Sequence, residues 1–244
     1  MAILTQPWPL RNDRRSWGLA AAILVVLVVA VALVDTAISL YGQSLPEPVI
    51  GVFRFITRFG ESDYILIPSL ILWLVSAALA AVIPRLSARL ALRQMSGIWA
   101  FIFIGVGLPS LVTTIIKRLV GRARPEVEGT GAFDFQAFPW TDWQYQSFPS
   151  GHATTALAAC FVLSFLAPRW YPALLVLAVL ICLSRIVLGA HYPTDLLVGA
   201  VIGTLGAYLV RNAFARRGWV FRIAPDGTTA VRALSGVRRL IRSF

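Results

Sequence analysis

Two short stretches, PSGH at 149–152 and SRIVLGAHYPTD at 184–195, hold both histidines of the 244-residue chain, His152 and His191. Imidazole titrates near neutrality, so each ring is a candidate nucleophile, base or acid. Asp195 follows His191 by four residues, close enough for its carboxylate to hold one ring nitrogen and leave the other free as nucleophile or base. Ser150 is placed to cap a helix that begins at Gly151. Such a start points a hydroxyl, unpaired backbone N–H groups and the positive end of the helix at one spot, which takes phosphate readily. Arg185 adds a planar fork for phosphate oxygens. A third stretch, KRLVGRARP at 117–125, contains the sole lysine, Lys117, in a chain with 21 arginines, and Arg124 lies seven residues further on. That spacing puts the two cations two turns apart on one helical face if the helix continues so far.

Taken singly, each stretch also fits a plain role. PSGH reads as a helix cap with an incidental histidine, His191 and Asp195 as an ion pair, and Arg118, Arg122 and Arg124 as interfacial side chains that snorkel to water. Two histidines with one nearby carboxylate fall short of a usual zinc shell, and no calcium-type carboxylate loop is present. Cys160 and Cys182 lie in apolar runs and read as buried filler.

The elements that must position these residues are apolar. The chain is 58% hydrophobic and 14% charged with a mean hydropathy of +0.75, which points to the bilayer as solvent. Six apolar segments are visible, at about Trp17 to Leu40, Tyr64 to Ile83, Ile98 to Ile116, Ala153 to Ala167, Tyr171 to Ala190 and Leu196 to Val210. Continuous runs without alternation predict helices, so the expected architecture is an all-α integral membrane bundle of six spans in a single domain, 1–244. Gly199 and Gly203 form a small-xxx-small pair on the last helix and suggest close packing there. The first segment follows Arg11, Arg14 and Arg15 and contains Ala30-Val31-Ala32, which resembles a signal-peptidase site, but its apolar run is longer than a signal core; an uncleaved helix is expected. Asp35 at the outer end of that helix takes no role in this reading.

The net charge of +11 by itself permits nucleic-acid binding. Eight of the basic residues crowd the last 34 positions, however, beyond an apolar segment, as juxtamembrane charge does. The positive-inside rule then places a cytoplasmic amino end at 1–16, an extracytoplasmic loop at 117–151 and a basic cytoplasmic tail at 211–244. It also brings the end of helix 3, the start of helix 4, the end of helix 5 and the start of helix 6 to one outer face. Both histidines, the lysine and the arginines that break the charge count are gathered there, where polar groups at membrane depth are functional candidates.

Together, KxxxxxxRP at 117–125, PSGH at 149–152 and SRxxxxxHxxxD at 184–195 resemble the three-part signature of the type 2 phosphatidic acid phosphatase (PAP2) superfamily, matching at every signature position and in order. The resemblance implies a six-helix bundle of the PAP2/haloperoxidase-like type. It also implies a metal-independent phosphatase without cofactor, working through a phosphohistidine. In that pattern His191 attacks phosphorus, Asp195 orients it, and His152 protonates the leaving oxygen and then activates water. Lys117, Arg124, Ser150, the Gly151 backbone N–H and Arg185 surround the phosphate oxygens.

The implied partners are a lipid phosphate and the inner-membrane bilayer, with no nucleic acid. Phosphatidic acid, phosphatidylglycerol phosphate, undecaprenyl pyrophosphate and a lipid A phosphate remain open as substrates, as does the oligomeric state. Transfer of the phosphoryl group to another lipid and non-catalytic binding of a lipid phosphate are the alternatives; soluble haloperoxidase chemistry does not suit six spans. The loop between helices 3 and 4 carries seven aromatics from Phe133 to Phe148, which predicts either a lid on the outer leaflet or packing over the bundle.

Overall fold

The computed structural model describes residues 2–10, 13–127 and 129–232. Among them are eight α-helices: α1 (Arg14–Ala32), α2 (Asp35–Gln43), α3 (Glu47–Ile56), α4 (Asp63–Val82), α5 (Leu86–Val120), α6 (Gly151–Leu166), α7 (Tyr171–Val187) and α8 (Pro193–Arg216). A short antiparallel hairpin, β1 (Phe221–Ile223) and β2 (Thr229–Val231), follows with Phe221 opposite Val231. Five helical stretches are long and apolar enough to cross a membrane: Arg14–Ala32, Glu47–Val82, Leu86–Val120, Pro168–Val187 and Pro193–Arg216. Gly151–Leu166 is apolar but shorter. The chain is thus a helical membrane protein, with more α-helices among the described residues than the six apolar segments expected.

The differences have local causes. The first apolar segment does not run unbroken to Leu40; α1 ends at Ala32 and α2 restarts at Asp35, whose side chain is fully buried. A carboxylate cannot face lipid, so the chain turns there to carry it inward. The link to α4 is helical too, through α3 and a 3-10 turn at Thr57–Gly60. Helix α6 has 16 residues, about 24 Å of rise, against a hydrocarbon core of about 30 Å. It can be short because it is the centre of the bundle: eleven of its residues are buried, and it packs on α5, α7 and α8.

Small residues set how closely that centre closes, since lipid supplies no hydrophobic drive between helices. A Cβ at Gly199 would stand 2.5 Å from the Ser150 carbonyl oxygen, and one at Gly203 would stand 2.3 Å from that of Thr154. Alanine at either position would push α8 off α6. Contact at this distance lets Ser150 N–H reach the Asp195 carbonyl at 3.0 Å and the Thr154 hydroxyl reach the Gly199 carbonyl at 3.1 Å. The start of α6 and the start of α8 are therefore joined.

At the opposite end Arg216, Arg217, Arg222 and Arg232 of the basic tail are exposed, whereas Arg211 is not. Arg211 is 1% exposed, donates to the Leu4 and Gln6 carbonyls at 2.8 and 2.5 Å and stacks over Phe165 and Tyr208. The hairpin folds back so that Phe221 meets Phe101 at 4.8 Å between ring centroids, and Thr229 N–H bonds the Thr5 carbonyl. The remainder of the expected tail, 233–244, lies outside the described residues.

Candidate active site

The three stretches singled out by chemistry meet at one end of the bundle. Helix α5 stops at Val120 because Gly121 takes a left-handed conformation (φ 69°), and a Cβ there would strike the Gln136 carbonyl oxygen. Lys117 and Arg124 therefore do not share a helical face as the spacing suggested. Lys117 sits on the last turn of α5, while Arg124 lies in the loop beyond and is returned to the site by the bond from its backbone N–H to the Gln144 carbonyl, 2.8 Å. A Cβ built on Gly151 would be 3.8 Å from Lys117 Nζ, so the ammonium faces the first residue of α6.

Ser150 is the N-cap of α6, accepting from Ala153 N–H at 3.4 Å. His152 follows in the first turn, backed by Gly60 and Ile181. Arg185 lies in the last turn of α7, where Gly189 (φ 66°) reverses the chain so that Ala190 and His191 N–H both reach the Arg185 carbonyl, at 3.0 and 3.3 Å. One turn of backbone thus fixes Arg185 and His191 relative to each other. Arg185 Nη1 also donates to the Thr57 hydroxyl at 2.7 Å. The Nε atoms of Arg124 and Arg185 are buried with no hydrogen-bond partner among the described residues. Buried donors without a partner are costly, and an anion's oxygens would satisfy both.

His191 is 1% exposed and precedes α8 rather than lying on it. Its Nδ1 stands 3.6 Å from Asp195 Oδ2, an ion-pair distance somewhat beyond a direct hydrogen bond. The Ser147 hydroxyl lies against both groups, 3.5 Å from Nδ1 and donating to Asp195 Oδ2 at 2.5 Å. Tyr192 N–H donates to the same oxygen at 2.9 Å, completing a capping box at the start of α8. Burial pushes the His191 pKa well below 6.5, and the charges of Lys117, Arg185 and Arg124 push it the same way. The ring is neutral at pH 7, with its lone pair available. Arg124 is lowered by burial, against the opposing pull of Glu126 at 3.6 Å.

Arg122 is not interfacial: it is 4% exposed and pairs with Asp195 at 2.6 Å and with Asp35 at 2.8 Å. Removing one member of such a buried set leaves an uncompensated charge, at a cost of about 3–5 kcal/mol. Asp35, Arg122, Ser147 and Thr57 escaped the sequence reading. Asp35, the one carboxylate inside the first apolar run, and Arg122, on the outer side against the charge rule, were the signals available. Among the described residues no three His, Cys, Asp or Glu side chains group as a metal shell.

The aromatic loop folds over this end. Ala123 N–H reaches the Asp134 carbonyl, Gln136 N–H the Gly121 carbonyl and Ser147 N–H the Arg122 carbonyl. Arg124 lies 5.1 Å from the Trp143 ring centroid and Arg118 6.0 Å from that of Trp140, while both indoles remain more than half exposed.

Two histidines and three cations thus come together at one end of a membrane helix bundle. The chain belongs to the PAP2 superfamily, whose family model matches residues 98–219, and with it is a phosphoric ester hydrolase of the metal-independent type. It is 31% identical over 212 residues to a lipid A 1-phosphatase of Rhizobium johnstonii, covering 86% of each chain. It is 33% identical over 156 residues to a decaprenylphosphoryl-5-phosphoribose phosphatase of Mycobacterium tuberculosis, covering 63% of this chain and 75% of that one. Among solved structures, a PAP2-type phosphatidylglycerolphosphate phosphatase of Bacillus subtilis covers 80% of this chain and 96% of its own at 24% identity, with a TM-score of 0.51, a likeness of fold.

Proposed function

We propose that the chain is an inner-membrane lipid phosphatase that hydrolyses the phosphate monoester or diphosphate of a lipid through a phosphohistidine on His191. The observation that carries this reading is the setting of His191: Nδ1 faces Ser147 and Asp195, which leaves Nε2 as the free nitrogen of a ring that feels the charges of Lys117, Arg185 and Arg124. In the first step Nε2 forms a bond to phosphorus as the bond to the leaving oxygen breaks, and His152 gives that oxygen a proton. Charge on the equatorial oxygens is met by Lys117, Arg124, Arg185, the Ser150 hydroxyl and the Gly151 N–H. Asp195 offsets the positive charge on the phosphorylated ring. In the second step His152 takes a proton from water, which attacks phosphorus and returns the His191 lone pair.

In this reading 1–244 is one membrane-embedded domain with six spans: α1, α4, α5, α6, α7 and α8. Both termini are cytoplasmic and the site opens to the periplasm or cell exterior, in keeping with the charge distribution. A phosphoglycolipid of the lipid A kind leads the candidate substrates, because the relative matched over 86% of both chains acts on one.

The test is phosphate release by purified protein in detergent with EDTA. The panel comprises a lipid A 1-phosphate, phosphatidic acid, phosphatidylglycerol phosphate and undecaprenyl pyrophosphate. Release that survives EDTA and is lost in both His191→Ala and His152→Ala is the expected result. No release from any lipid, or activity abolished by EDTA, overturns the proposal.

A further inference from the structure

Behind the His191 ring lies a run of buried polar side chains of which only Asp195 belongs to the signature. Asp35, Arg122 and Asp195 come from the first residue of α2, the loop after α5 and the first turn of α8, and are 0%, 4% and 0% exposed. Arg122 Nη1 donates to Asp195 Oδ1 at 2.6 Å and to the Thr194 hydroxyl at 2.7 Å; Nη2 donates to Asp35 Oδ2 at 2.8 Å, and Nε to the Ala132 carbonyl at 2.8 Å. Thr194 closes the other side, its N–H donating to Asp35 Oδ1 at 3.0 Å and its hydroxyl to Asp35 Oδ2. The guanidinium also lies 4.3 Å from the Tyr192 ring centroid.

Every nitrogen of Arg122 and both oxygens of Asp35 are thus used internally, so neither residue is a phosphate ligand. A guanidinium stays protonated, and here one cation is shared by two carboxylates. With Oδ1 of Asp195 held by Arg122, its Oδ2 is left to Ser147, Tyr192 N–H and the His191 ring. Snorkelling explains none of this, since it needs no buried partner 87 residues away in sequence.

We propose that Asp35 and Arg122 are positioning residues for His191: they fix the Asp195 carboxylate, which with Ser147 keeps the ring proton on Nδ1 and leaves Nε2 as the reacting nitrogen. The inference rests on the reading of His191 as nucleophile. It gives a purpose to the break between α1 and α2, which delivers Asp35 to the back of the site. It also gives one to the arginine two residues before Arg124.

The chain holds two histidines, so selective 15N-histidine labelling in detergent micelles reports two rings, assigned with His152→Ala. In the wild type His191 shows one neutral tautomer, with the proton on Nδ1. Asp35→Asn turns this into a tautomer mixture and lowers kcat on a short-chain lipid phosphate roughly tenfold or more, with KM altered less than about twofold. Thr194→Val, which removes the hydroxyl joining Asp35 to Arg122, moves both readouts the same way by a smaller step, about threefold in kcat. It decides the matter if Asp35→Asn is not recovered monodisperse. Guanidinium added to Arg122→Ala restores part of its lost kcat. A wild-type tautomer and kcat in the folded variants overturns the proposal, as does a raised KM with kcat unchanged. A tautomer that depends on Asp35 in a protein that hydrolyses no lipid phosphate upholds the positioning and overturns the phosphatase reading instead.

Discussion

The Thr57 hydroxyl accepts a 2.7 Å hydrogen bond from Nη1 of Arg185 and so ties the 3-10 turn after α3 to the last turn of α7. Among the described residues Arg185 pairs with no carboxylate, and Thr57 aims its fork. A hydrogen bond to a charged group contributes about 1.5–3 kcal/mol, so Thr57→Val should lower kcat/KM by about tenfold or more. Steady-state kinetics on a lipid phosphate, with melting temperature as the folding control, checks this.

Gly60 in the same turn is buried because His152 and Ile181 leave it no room. A Cβ there would lie 2.7 Å from His152 Cδ2 and 2.5 Å from Ile181 Cγ2. Gly60→Ala therefore has to move the imidazole, and a displacement near 1 Å can cost about a hundredfold in rate. The expected result is a large fall in kcat with the fold retained. Gly51→Ala, where a Cβ meets nothing within 4 Å, should remain close to wild type.

His191 is held neutral in the fold, with a pKa well below its ordinary 6.5, because burial and three nearby cations oppose its charging. In the unfolded chain it takes up a proton at about 6.5, so below that pH the unfolded state binds more protons. Its contribution to stability is intact above about 6.5 and is lost as the pH falls from there toward the folded value. Thermal unfolding in detergent should show the midpoint dropping from about pH 7 to about pH 5, and His191→Gln should make that slope shallower. An unchanged slope would mean that the ring titrates normally.

Trp140 and Trp143 stand beside Arg118 and Arg124 with their outer faces exposed. If the loop is a lid at the headgroup level, replacing both by Ala should cut turnover of a long-chain lipid phosphate by about threefold to tenfold. A stacked cation contributes about 0.5–2 kcal/mol, and lipid guidance is lost with it. Turnover of a soluble phosphate ester should change less. Equal losses on both substrates would mean that the loop only packs.

Much of this site is legible in the sequence because its chemistry is local. The Ser150 cap and the placing of Asp195 one turn after His191 each follow from residue types over a few positions. What was not legible depends on contacts between distant segments. The spacing of Lys117 and Arg124 suggested one helix, but Gly121 ended it, and the loop bond to Gln144 brought the two together instead. Asp35 took no role and Arg122 looked like an interfacial residue because nothing local pairs them across 87 positions. Arg211 counted as tail charge, although its partners are carbonyls near the amino end. The membrane class was plain from the mean hydropathy and the continuous apolar runs. The break at Ala32 to Asp35 and the shortness of α6 are tertiary consequences, of a buried carboxylate and a central helix.

The central claim is that His191 carries the phosphoryl group. Its most direct test is rapid acid-free quenching of His152→Ala with substrate labelled in the phosphate, followed by mass spectrometry of the digested protein. Without His152 to activate water, the intermediate should accumulate on a substrate with a good leaving group that needs no proton. One phosphate per chain is expected, on His191 and absent in the His191→Ala, His152→Ala double variant. Label on another residue, or turnover by wild type with no labelled protein at any time, would contradict it.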